Sequence, residues 1–510
     1  MKKLLSAALA LAAGASFFSC QNGSGADYDY DETNATVNFT LGSNLLSFDT
    51  NVTYSDDLLV GADNTEYSPT LAKFAYALAF DAYDTVKVSL KTSSTNPATS
   101  SDNVTLYANF GFEDATYTEL SADDYLADKD DLTNAVFAHK SVTSGETTYQ
   151  IFTLAVQGSS GQAQWQSNFD VGAYDSAYTY ATLSATHSAA KAYLADSTVD
   201  TSAVQQESLT NYATLAASYS TEHKGFALAA SRIKTAFESY MSEKADSSAT
   251  KTIILLTGHS RGAAIVNILG KVYEDDGSYT TFTYGFATPR TTTASDAANY
   301  TTIFNIINSD DLVTELPLSD WSFTRYGTDK TASIASSYLS EWKNTVMFAS
   351  SYTSAGAQDV SYLSGVATDR EDLYKLSDAS STSNNTFSIT YSTKEEATEL
   401  ITYLNKLGFG VSSYDPYSEG FTMTTGTDDD ENTTYTVSTT FRPQFFLNTM
   451  VMAIMLASSD TSAATTFVTT MCSGYSALHK RALYTMSTKI TGFAYSHSAP
   501  CYAILADNLE

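Results

Sequence analysis

The chain has 510 residues, 43% of them hydrophobic and 16% charged, a balance that argues against disorder and a length that suits one large core or two to three domains. Its formal net charge of −30 at pH 7 repels nucleic acid and a bare anionic bilayer alike. The 27 basic residues and 35 tyrosines describe a polar extracellular surface with aromatic packing and identify no substrate.

The chain begins Met1-Lys2-Lys3-Leu4-Leu5 and runs through an Ala/Leu stretch to Ser16-Phe17-Phe18-Ser19-Cys20, an export signal too short for a stable membrane span. The cysteine directly after Ser19, with Phe17 where Leu is usual, resembles the lipidation box of bacterial lipoproteins. That resemblance makes Cys20 the lipid-bearing residue and Gln21 to Gly25 a flexible tether. Membrane attachment then depends on the lipid and not on a basic patch, in a bacterial cell envelope, at the outer membrane or cell surface. Cleavage with full secretion is the alternative.

Residues 21–67 read as a tether with marginal strands, for example at 36–40. A helix is expected over 71–80, with Ser68 as N-cap and Pro69 at its first position, followed by a loop at 92–103. Residues 149–156 form a continuous, β-branched run that suits a central strand. After Gln157-Gly158-Ser159 and Trp165 comes an Ala/Ser/Thr-rich stretch at 173–220, helical in pieces, and then a clear amphipathic helix over 226–241. Residues 252–257 make a buried strand, Gly258-His259-Ser260-Arg261-Gly262 a sharp turn, and the run from Ala263 a helix. Strands at 279–285 and 302–307, with a short helix at 293–299 between them, continue the alternation.

From about 330 to 470 the pattern breaks. A capping box, Thr393-Lys394-Glu395-Glu396, opens a helix ending at Gly408, and strand-like pieces stand at 387–391 and 435–439. The apolar segment 445–456 is too short to span a bilayer and reads as a buried or lid helix. The expected fold is α/β, an α/β-hydrolase-like, mostly parallel sheet with helices on both faces and an inserted cap or subdomain. Its division is a lipoprotein signal at 1–20, the tether at 21–67, the first part of the core at 68–329, the insertion at 330–470, and the end of the core at 471–510.

A strand, a tight turn carrying a serine and a helix expose that serine above a parallel sheet, which makes Ser260 the candidate nucleophile. A side chain at either flanking glycine would collide with the turn or the adjacent strand, and Ser260 itself should be strained. A serine hydroxyl needs a base in reach and an acid to orient it. Of the six histidines, His259 is read as structural and turned away from Ser260, His223 and His139 as capping or packing groups, and His187 and His479 as helical without a partner pattern. His497 lies late in the chain in a turn and is the candidate base. Asp311, after the strand at 302–307, is the candidate acid, with Asp310 its rival. The order Ser260, Asp311, His497 fits the α/β-hydrolase plan and excludes two other hydrolase orders. The expected oxyanion donors are the backbone N–H groups of Arg261, at the helix start, and Ser159, after the central strand. With Cys20 lipidated, Cys472 and Cys501 are expected to pair as a disulfide, free thiols being the alternative.

These residues together resemble the class 3, fungal-type lipases. The resemblance rests on Gln157-Gly158-Ser159 with Trp165 and Asn168-Phe169, His223-Lys224-Gly225-Phe226, and Thr257-Gly258-His259-Ser260-Arg261-Gly262-Ala263. Asp311-Leu312-Val313-Thr314 with Leu316-Pro317, and His497-Ser498-Ala499-Pro500-Cys501-Tyr502, complete it, covering roughly residues 135–325 and 480–510. It favours Asp311 over Asp310. Arg261 for the usual Leu, Ala263 for Gly and Thr314 for Pro are departures, and Arg261 is expected either to favour an anionic or polar substrate or to pair with a carboxylate. The resemblance implies hydrolysis of a glycerolipid or phospholipid ester through an acyl-enzyme, with no metal or organic cofactor. The contrasting expectation is a surface binding or adhesion lipoprotein on a hydrolase scaffold without turnover. Nothing in the sequence speaks to oligomeric state.

Overall fold

The computed structural model describes residues 31–41, 46–84, 86–91, 104–121, 132–159, 219–317, 323–347, 386–406, 422–440 and 496–509, with a few single positions between, among them Gln164 and Asn168. The export signal with Cys20, the 92–103 loop, Trp165, nearly all of 173–220, the 445–456 segment, His187, Cys472 and His479 lie outside the described residues.

The chain opens with β1 (Thr33–Leu41), β2 (Leu46–Tyr54), α1 (Pro69–Asp81), β3 (Val86–Lys91) and α2 (Val104–Asn109). Strands β1 to β3 make an antiparallel sheet in the order β2-β1-β3. Val37, Phe39, Phe48, Val52 and Tyr54 of this sheet enter the same core as α1, so the strands read as marginal supply core residues. Helix α1 starts where the sequence indicates: Ser68 Oγ accepts from the Leu71 N–H at 3.2 Å and Pro69 takes the first position.

The main sheet and its helices follow as β4 (Glu113–Ser121), β5 (Leu132–Ser144), β6 (Thr147–Val156), α3 (Lys224–Glu243), β7 (Lys251–His259), α4 (Arg261–Asp276), β8 (Thr280–Phe286), β9 (Ile303–Asn308) and β10 (Thr328–Ala332). These strands form a seven-stranded sheet in the order β10-β9-β8-β7-β6-β5-β4. Strands β6 through β10 pair in parallel, and β4, β5 and β6 pair antiparallel at one edge. The sheet is covered on both faces, which is why β7 reads as an unbroken apolar run. Ile253 and Leu255 pack with α1, while Ile254 and Leu256 pack with α3 and α4, the two-residue period of a strand. This is an α/β-hydrolase-like fold.

The short helix expected at 293–299 is reduced to a 3-10 turn at Ala297–Asn299. The preceding backbone is held extended, because Thr292 bridges both Glu222 and Thr324. Beyond β10, α5 (Ile334–Ser337) and α6 (Leu339–Met347) return Ile334 and Trp342 to the main core. A separate small sheet contains β11 (Thr386–Tyr391), β12 (Thr422–Thr427) and β13 (Thr433–Thr440) in the order β11-β13-β12, with α7 (Lys394–Lys406) after β11. Thr393 begins α7 as the capping box suggests, accepting from the Glu396 N–H at 3.3 Å and donating to its carboxylate at 2.8 Å. The last element, α8 (Ala499–Asn508), lies against α1: Tyr76 Oη donates to Ala499 O at 2.9 Å, and Lys73 pairs with Asp507 at 2.9 Å. Among the described residues no helix is long and apolar enough to cross a membrane.

Candidate active site

The turn between β7 and α4 holds Ser260 at φ 58° and ψ −125°, a region that non-glycine residues rarely occupy and that costs about 1–3 kcal/mol. Its backbone N–H donates to Phe286 O at 2.8 Å, which ties the turn to the end of β8. A Cβ on Gly258 would stand 2.5 Å from the Gly262 carbonyl carbon, and one on Gly262 would overlap Val156 O on β6. Only glycine lets β6, β7 and α4 converge this closely. The side chain of Ser260 is nearly buried at the start of α4, where the first helical N–H groups lack internal partners.

Asp311 follows β9 and is fully buried. Its Oδ2 accepts from His497 Nδ1 at 2.7 Å and from Tyr502 Oη at 2.6 Å, and its Oδ1 accepts from the Val313 N–H at 2.9 Å. An acceptor-only carboxylate facing Nδ1 assigns the proton to that nitrogen, leaving Nε2 to act as an acceptor. Asp310 turns elsewhere: its Oδ2 accepts from Ser333 Oγ at 2.9 Å and from the Ala335 N–H at 2.7 Å, at the start of α5. Of the two candidate acids, the structure therefore brings Asp311 to His497. Asn308 ties the two loops together by donating from Nδ2 to Ser496 O at 2.8 Å while its Oδ1 accepts from the Asp310 N–H at 3.1 Å.

The β6–β7 register pairs Val156 with Gly258, so the segment after β6 runs beside the serine turn. There Ser159 Oγ accepts from Asn168 Nδ2 at 2.7 Å, and Asn168 O accepts from His223 Nε2 at 3.0 Å. The other ring nitrogen of His223 accepts from the Phe226 N–H at 3.4 Å and caps α3, the capping role the sequence suggests. Burial lowers the His223 pKa from 6.5 to about 3, so the ring stays neutral and serves both bonds. Arg261 is 2% exposed, with Nη1 3.5 Å from Leu132 O. Its guanidinium is turned to the start of β5, into the interior and away from solvent.

His259 carries more contacts than its sequence context suggests. Its ring centroid is 4.7 Å from that of His497, its Nδ1 is 2.8 Å from Tyr83 Oη, and its Nε2 is 3.2 Å from His497 O. Burial lowers its pKa well below the ordinary value, and the neighbouring His497 adds to the shift. His139 lies beside Asp114, 3.7 Å away. Cys501 is buried, with Sγ 3.8 Å from Ser498 Oγ; its expected disulfide partner, Cys472, is outside the described residues. Sequence reasoning missed Tyr83 and Asn308 and gave Tyr502 no role. Tyr502 had a signal, being part of the His497 motif, whereas Tyr83 had none because its contact to His259 spans 176 positions. Among the described residues no group of three or more His, Cys, Asp or Glu side chains could hold a metal ion.

A serine on a strained turn at a helix start, whose neighbour His259 contacts a histidine oriented by a buried carboxylate, is an arrangement suited to acyl transfer. Residues 153–321 match the family model described as Lipase (class 3). Among solved structures, the chain is similar to a mono- and diacylglycerol lipase from Aspergillus oryzae, at 17% identity and TM-score 0.31, over 51% of this chain and 77% of that one. It is also similar to lipase II from Rhizopus niveus, at 16% identity and TM-score 0.29, over 52% of this chain and 82% of that one. No curated protein matches.

Proposed function

We propose that the protein is a serine ester hydrolase that cleaves acyl esters, of the glycerolipid or phospholipid class, through an acyl-enzyme. The observation that carries this reading is the 2.7 Å bond between Asp311 and His497, in a chain whose strained turn holds Ser260. The match of residues 153–321 to the class 3 lipase family supports it. In the proposed reaction His497 Nε2 takes the Ser260 proton as Oγ attacks the ester carbonyl, and Asp311 steadies the imidazolium that forms. The backbone N–H groups of Arg261 and Ser159 receive the oxyanion, each donor contributing about 3 kcal/mol. The alcohol leaves with the proton from His497, and water, activated by the same ring, releases the acid and regenerates Ser260.

Labelling with a fluorophosphonate and turnover of p-nitrophenyl acyl esters test the proposal, with Ser260→Ala and heat-denatured protein as controls. Wild-type labelling lost in Ser260→Ala is the expected result; full esterase activity in Ser260→Ala would overturn it. A comparison of glycerolipids, phospholipids and short acyl esters then identifies the substrate class.

One observation favours a second reading, a binding scaffold without turnover: among the described residues no hydrogen bond joins Ser260 Oγ to His497. Such bonds are often long before substrate binds, and an unlabelled native protein is the outcome that selects this reading. We further propose that Cys20 carries a lipid and anchors the chain to the envelope, a reading supported by the sequence around Ser19-Cys20. Labelled palmitate should enter the wild type and not Cys20→Ala.

A further inference from the structure

We infer that Tyr83 and His259 are positioning residues that hold the main chain of the base loop in register with the serine turn and the segment after β6. The inference rests on the hydrolase reading above. His497 O can only accept, so His259 Nε2, 3.2 Å away, must carry the proton of that ring. The ring is neutral and buried, so Nδ1 is an acceptor, and the Tyr83 hydroxyl 2.8 Å away must donate to it. The segment after β6 packs directly on the Tyr83 hydroxyl at Gly158.

The contacts around this chain of bonds are close. A Cβ on Gly158 would overlap Tyr83 Oη and stand 2.7 Å from His259 O, so Tyr83 occupies the space that a side chain would take. Phe80 stacks on Tyr83 at 5.7 Å between centroids and lies 4.7 Å from the His259 ring, fixing both rings from the α1 side. The bonds from Tyr83 to His259 and from His259 to His497 O, with Gly158 closed against the Tyr83 hydroxyl, therefore bring three loops together. One precedes Ser159, one carries Ser260, and one carries His497. Asp311 sets the rotation of the His497 ring, while His259 holds the backbone from which that ring projects. Catalysis by a base and oxyanion donors on separate loops is sensitive to shifts of about 1 Å, which gives these contacts a consequence for rate.

The test compares Tyr83→Phe, His259→Gln and His259→Leu with wild type, measuring fluorophosphonate labelling rate and the kcat and KM for a p-nitrophenyl ester. Gln can donate to His497 O and accept from Tyr83 with one amide, whereas Leu fills similar space without either bond. The expected result is kcat lowered about 10- to 100-fold in Tyr83→Phe and His259→Leu, KM within about twofold, and at least partial recovery in His259→Gln. A packing role predicts the reverse order, with Leu active and Gln impaired, and that order overturns the inference, as does wild-type kcat in Tyr83→Phe. If Tyr83→Phe does not fold, the Gln and Leu pair decides. A wild type that neither labels nor turns over ester refutes the hydrolase reading itself, an outcome distinct from unchanged rates in the variants.

Discussion

Replacing His223 by Gln should flatten part of the acid limb of the stability curve. In the native fold both ring nitrogens are engaged by the neutral form, Nε2 with Asn168 O at 3.0 Å and Nδ1 with the Phe226 N–H at 3.4 Å. Burial is the chief reason its pKa falls from 6.5 to about 3. Between those values the unfolded chain binds a proton that the folded chain refuses, so stability is full above about pH 6.5 and is lost as pH falls toward 3. At about 1.4 kcal/mol per pH unit, the loss is about 3 kcal/mol by pH 4 and about 4 kcal/mol by pH 3. Urea unfolding of wild type and His223→Gln at a series of pH values from 7 to 4 measures it. Taking the difference between the two proteins cancels shared groups. These include His259, which acts in the same direction, and Asp81, whose burial raises its pKa and acts in the opposite one. The stability advantage of wild type over the variant should shrink by about 1.4 kcal/mol per unit below pH 6.5. Parallel curves over the whole range would refute the assignment of a neutral, buried His223.

Asp311→Asn should fold yet lose about 10⁴-fold in kcat, since an amide no longer fixes the proton on His497 Nδ1; circular dichroism and ester turnover check both halves. Tyr502→Phe removes one of the two donors to Asp311 Oδ2 and should lower kcat/KM by about tenfold, a change of about 1.4 kcal/mol. Gly262→Ala drives a methyl into Val156 O and should lower stability by about 1–3 kcal/mol or more, read as a fall in Tm. Gly277→Ala, whose Cβ would meet nothing within 4 Å but whose φ is +67°, should cost only about 1 kcal/mol.

The parts of the fold legible in the sequence are those in which local geometry and chemistry coincide. The apolar run of β7, the glycines at 258 and 262, and the Ser68-Pro69 start of α1 each state a backbone requirement within a few residues. The choice between Asp310 and Asp311 is different, because the two adjacent carboxylates differ only in what the fold brings to them. Asp310 meets the start of α5 and Asp311 meets His497. Strands β1 and β2 looked marginal because Thr and Asn dominate their exposed positions; the apolar residues on the other side gain meaning only with α1 against them. Tyr83 was invisible for the same reason in stronger form, since nothing near position 83 refers to a histidine 176 residues away.

The span of 186 residues between Asp311 and His497 imposes a timetable on synthesis. The serine turn, Asp311 and the whole parallel sheet leave the ribosome long before the segment that carries His497. Until residues 496–509 arrive, α1 lacks α8, and the apolar surface these helices share has no cover from that side. On the proposed hydrolase reading the nascent chain lacks its base over the same interval in which this apolar surface is open, an exposure of the kind that favours aggregation. Translation that stops short of residue 496 would yield a product without the partner of Asp311 and with the flank of α1 open.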